Sequence, residues 1–68
     1  MNVRVNGENR DLGANSTVAD LISEMGRAET SLGVAVAVNG EVVPRSAWSA
    51  RRLSEGDRVE VLDAVSGG

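Results

Sequence analysis

The sequence predicts an α+β domain in which a mixed four- to five-stranded sheet carries one helix packed across it. Three observations carry that prediction. Short segments alternate apolar and polar residues with a period of two, the mark of half-buried strands. Two Asn-Gly pairs, Asn6-Gly7 and Asn39-Gly40, stand where such segments end. Asn-Gly is the strongest short hairpin signal, because both turn positions need φ > 0. Only one stretch, beginning at Val18, repeats its apolar residues at helical spacing.

Taken in order, Met1 to Val5 alternates as a first strand, and Asn6-Gly7 turns the chain into a second, Glu8 to Leu12, with Leu12 as its main apolar contribution. Gly13-Ala14-Asn15-Ser16 breaks the pattern. Thr17 can cap a helix, with Asp20 at the N3 position of a loose capping box. Val18, Leu21, Ile22 and Met25 fall on one face, and Asp20, Ser23 and Glu24 on the other. Gly26 is placed to stop the helix in a left-handed turn after about ten residues. Arg27 to Leu32 reads as a polar loop. Gly33 to Val38 is a strand with valines on one face and alanines on the other; neither face carries charge, as expected of a central strand. After Asn39-Gly40, Glu41-Val42-Val43 is a short strand ended by Pro44, which cannot donate to a ladder. Arg45 to Arg52 contains Trp48 and leaves room for a short helical turn. Glu55-Gly56-Asp57 is a polar turn before the last strand, Arg58 to Ala64. Its Val59 and Val61 point inward, so strict alternation turns Leu62 outward. The first and last strands are expected side by side at the centre, which is the ubiquitin-like β-grasp arrangement. The domain is expected to span residues 1–64, followed by a flexible tail over residues 65–68.

At 68 residues there is room for one thin core and little for a deep catalytic pocket. Cysteine and histidine are both absent, which removes thiolate nucleophiles, disulfides, the commonest general base and the commonest metal ligands. Trp48 is the only aromatic residue, so no stacking platform for single-stranded nucleic acid is available. The net charge of −3 repels a phosphate backbone. No apolar run is long enough to cross a bilayer and no signal peptide is evident, so a cytoplasmic location is expected, with no nucleic-acid or membrane partner. The acidic residues are spread through turns and solvent faces, and no spacing forces two carboxylates together. Neither glycine-rich phosphate motif is present. The chain is not expected to be an enzyme, to bind a metal or to hold a cofactor of its own.

What remains is the α-carboxylate of Gly68, ionised at neutral pH with a reference pKa of about 3.3–3.7. Two terminal glycines alone mark an ordinary frayed end. They also let backbone approach another protein closely, since glycine has no Cβ to clash. Four extended residues, Val65-Ser66-Gly67-Gly68, reach roughly 13–14 Å, enough to thread a narrow channel.

Several segments together resemble the bacterial ThiS family, the sulfur carriers that serve the thiazole ring of thiamine. They are Val38-Asn39-Gly40, Val43-Pro44-Arg45 with Trp48, Leu53, Glu55-Gly56-Asp57, and Val65 through Gly67-Gly68. The Asn6 turn and the Thr17-Val18 helix start fit as well, so the resemblance covers essentially the whole chain. It implies a two-stage cycle. A ThiF-like adenylyltransferase spends ATP to adenylate Gly68, and sulfur from a cysteine-derived persulfide displaces AMP to leave a C-terminal thiocarboxylate. A ThiG-like thiazole synthase, a TIM-barrel protein, then takes the sulfur. Val65, Ser66 and Gly67 would thread the partner active sites. Leu62 and Arg45 are the candidate docking residues, and Trp48 is expected to close one end of the core. The rival readings are a MoaD-type carrier for molybdopterin or another thiocarboxylate pathway, a ubiquitin-like protein modifier, and a plain interaction module. The chain has no lysine, so it could not extend itself into lysine-linked polymers.

Overall fold

The computed structural model describes residues 1–26 and 33–63. The elements run β1 (Asn2–Val5), β2 (Glu8–Asp11), α1 (Val18–Glu24), β3 (Val34–Val38), β4 (Glu41–Val43), a 3₁₀ turn (Arg45–Ala47) and β5 (Arg58–Asp63). The expected loop over 27–32, Ala64 of the last strand and the tail Val65-Ser66-Gly67-Gly68 lie outside the described residues.

The five strands form one sheet in the order β2-β1-β5-β3-β4. β1 pairs with β2 antiparallel and with β5 parallel, and β3 pairs antiparallel with both β4 and β5. This is the β-grasp sheet, with the first and last strands adjacent as expected. β5 takes the middle position and β3 lies beside it. The two hairpins turn on Asn6 (φ 51) with Gly7 (φ 84), and on Asn39 (φ 52) with Gly40 (φ 84), the doubly positive pattern of a type I′ turn.

One face of the sheet is buried. Val3 and Val5, Val36 and Val38, Val43, and Val59 and Val61 point from it toward Val18, Ala19, Leu21 and Ile22 of α1, with Leu12, Trp48 and Leu53 closing the ends. α1 spans seven residues rather than about ten. The apolar spacing runs on to Met25, but Met25 has already left helical geometry (φ −80, ψ 4) and Gly26 follows in the left-handed region (φ +82). Burial covers Ala19 as well as the expected stripe, while Met25 is only half-buried.

The start of α1 is stitched to the segment after β4. Thr17 Oγ1 accepts from the Asp20 amide (3.2 Å) and Asp20 Oδ2 accepts from the Thr17 amide (2.9 Å), completing the capping box. The Val18 and Ala19 amides donate to the carbonyls of Arg51 (2.9 Å) and Trp48 (3.1 Å). The free donors that every helix N-terminus exposes are thereby satisfied. Trp48 is 1% exposed, and its indole N–H donates to the Val43 carbonyl at 2.9 Å. It is a buried corner post, in line with the expectation.

Candidate functional site

The four residues on which the chemistry is expected, Val65, Ser66, Gly67 and Gly68, lie outside the described residues. What the structure does describe is the strand that leads to them. β5 has Val59 and Val61 in the core and Arg58, Glu60 and Leu62 on the opposite face. No helix of the described residues covers that face. Leu62 is 67% exposed, so the outward orientation expected from alternation holds.

Sequence reasoning missed Leu62's apolar company. Val42 on β4 is 72% exposed, and in register it pairs with Ala37, while Leu62 pairs with Ala35. Leu62, Ala35, Ala37 and Val42 therefore form an apolar strip across three strands of the open face. The signal was available for Val42, since a buried Val43 forces its neighbour outward. The other candidate docking residue behaves differently. Arg45 sits with its guanidinium carbon 5.1 Å from the centre of the Trp48 ring, a cation–π distance, and does not line the groove that contains Leu62.

That groove is open, holds about 440 Å³, and runs between the two hairpin turns along β1 and β5. Arg4, Asn6, Gly40, Arg58, Glu60 and Leu62 are among its walls. Its rim is held by asparagine side chains. Asn6 Oδ1 accepts from the Val61 amide (2.9 Å) and its Nδ2 donates to the Val61 carbonyl (3.1 Å), so a side-chain amide extends the β1–β5 ladder by one step. Asn39 Oδ1 accepts from the Arg58 amide at 2.9 Å, and its Nδ2 donates to Asp57 at 3.0 Å.

Among the described residues no polar or charged side chain is buried, and no group of three acidic side chains is placed to hold a metal ion. Among them, too, no helix is long and apolar enough to cross a membrane.

The model of the ThiS family matches residues 3–68 of this chain. The chain belongs to the ThiS family. Solved ThiS structures share its fold. The crystal structure of the thiamine biosynthesis protein ThiS from Geobacter metallireducens aligns with a TM-score of 0.78 at 36% identity, with both chains covered in full. A solution structure of a thiamine biosynthesis protein from the same organism aligns at 0.81 and 37% identity, covering all of this chain and 88% of that one. The sulfur carrier protein ThiS of Escherichia coli is 26% identical, with both chains covered in full. A thiazole synthase of Paramagnetospirillum magneticum is 37% identical over all 68 residues, and there this chain spans only 20% of the relative's length.

Proposed function

We propose that this ThiS-family chain carries sulfur for thiamine biosynthesis on the carboxylate of Gly68. A carboxylate oxygen of Gly68 attacks the α-phosphorus of ATP in the active site of a ThiF-like adenylyltransferase, and pyrophosphate leaves. The resulting acyl adenylate is a good electrophile, which the free carboxylate is not. A cysteine-derived persulfide then attacks the acyl carbon and AMP leaves. Cleavage of the acyl disulfide by a thiol releases the thiocarboxylate. The chain is a co-substrate throughout: it holds no cofactor, and the ATP is the partner's. A ThiG-like thiazole synthase receives the sulfur. The likeness of this whole chain to one-fifth of a protein named thiazole synthase supports that partner. We place the cycle in the cytoplasm, where reduced thiols persist.

The observation that carries the reading is the extent of the family match, which runs through Gly67 to residue 68. Val65, Ser66 and Gly67 are assigned the threading role because glycine admits close backbone approach and the preceding residues span the distance. The test is intact mass after incubation with ATP, a ThiF-like enzyme and a sulfur source. Replacement of one oxygen by sulfur adds about 16 Da. The full chain should show that gain and a chain lacking Gly68 should not. An unchanged mass for the full chain rejects the assignment.

A further inference from the structure

We infer that Arg4 and Arg58 together receive a carboxylate side chain of the adenylating partner, in the groove beside Leu62. The inference rests on the carrier function proposed above. Its starting point is register. β1 and β5 run parallel, and Arg4 stands directly beside Arg58. Both side chains are exposed on the face opposite α1. Like charges placed opposite one another across strands are destabilising. Two arginines are nonetheless register partners here in a chain whose acidic residues outnumber its basic ones, ten to seven.

Nearby carboxylates do not relieve the pair. Among the described residues the ion pairs are Met1 with Asp11 and Arg10 with Glu24. Asp57, the residue before Arg58, turns its carboxylate to Asn39 Nδ2 at 3.0 Å and to the Ser54 amide at 2.7 Å and forms no ion pair with either arginine. Glu60 also lines the groove but reaches neither arginine. The groove thus keeps a net positive charge on a molecule of net charge −3.

Two arginines side by side on adjacent strands, whose backbones lie about 4.8 Å apart, can both donate N–H groups to one planar carboxylate. The apolar neighbour decides what carries that carboxylate. Leu62 lies four residues along β5 from Arg58, about 13 Å, at the other end of the same groove. A free anion would cover only the arginine end. A protein surface that offers an acidic side chain next to an apolar one covers both. Leu62 stands six positions before Gly68 in the sequence, so a partner seated there is one that handles Gly68. Charge complementarity at one point of an otherwise acidic chain fixes orientation and speeds encounter.

The experiment uses the full chain with a ThiF-like enzyme and ATP, following pyrophosphate release against carrier concentration at low and high salt. For the double variant R4Q/R58Q the expected result is a KM raised about tenfold with kcat nearly unchanged, and a flatter salt dependence than that of the parent. Its thermal midpoint should be no lower than the parent's, since a like-charge pair has been removed. Unchanged KM and salt dependence in a folded R4Q/R58Q overturn the inference. So does a parent dimer, seen in sedimentation, that R4Q/R58Q abolishes, because a second copy would then be the occupant. Inorganic phosphate that inhibits the parent but not R4Q/R58Q overturns it in favour of a free-anion site. If the parent chain itself releases no pyrophosphate, the carrier function falls and this inference with it. A parent that works beside variants that work equally well sinks this inference alone.

Discussion

Asn6 carries two demands at a single position. Its backbone sits in the left-handed region, which asparagine tolerates and most residues do not, and its side-chain amide bonds both the N–H and the C=O of Val61, carrying the β1–β5 contact past the turn. The two demands separate by substitution. Asn6→Gly keeps the turn and loses both amide bonds, so it should cost about 1–3 kcal/mol in urea denaturation, the range for a part-buried bond left unmade. A loss well under that range would mean that Asn6 serves only the turn. Leu62 makes the opposite case. It is a large apolar side chain with little to lose on mutation, because it is 67% exposed. Leu62→Asp should leave stability within about 0.5 kcal/mol, as surface changes usually do, while weakening binding to the adenylating enzyme. Unaltered binding of Leu62→Asp, measured by calorimetry, would remove Leu62 from the docking surface.

A seven-residue helix is too short to persist by its own propensity, so α1 depends on its ends and its packing. Thr17 and Asp20 bond to each other's backbone, so their contributions should be coupled. Thr17→Ala should cost about 1 kcal/mol, and adding Asp20→Ala should cost clearly less than the sum of the two single changes. Full additivity in a double-mutant cycle would show that the two bonds act separately. This capping box was legible in the sequence because both partners lie within four positions of each other. Both hairpin turns were legible for the same reason. The helix end was less so: hydrophobic spacing continues through Met25, whereas the backbone has already turned. The least legible features join residues far apart. That β1 and β5 are neighbours follows from fold class, but which residues face each other depends on a register no local pattern records. Arg4 beside Arg58 and Asn6 bridging to Val61 therefore emerged only from the sheet. Arg45 lies over the Trp48 ring and helps shape that corner, a contact between residues only three positions apart.

For the molecule as a whole, the sheet order assigns the two faces of β5 to different tasks. Its inner face, Val59 and Val61, is in the core between β1 and β3, and its outer face, Arg58 and Leu62, belongs to the groove. The core and the proposed docking surface thus lie on opposite sides of a single strand. A domain of this size has a margin of roughly 3–5 kcal/mol. Leu21 is fully buried under the sheet, and truncating such a residue costs about 2–5 kcal/mol. Leu21→Ala should therefore consume most or all of the margin, lowering the thermal midpoint sharply and reducing sulfur loading in proportion to the unfolded fraction. Deletion of Gly68 removes nothing from the core described here, so it should abolish the mass gain with the thermal midpoint unchanged. The two variants make a crossed pair. Adding a saturating binding partner should restore loading to Leu21→Ala, because a ligand that binds only the folded chain draws the equilibrium toward it. No amount of partner should restore loading to the chain without Gly68. If partner excess fails to rescue a partly folded Leu21→Ala, the inner face of β5 and its helix do more than hold the fold.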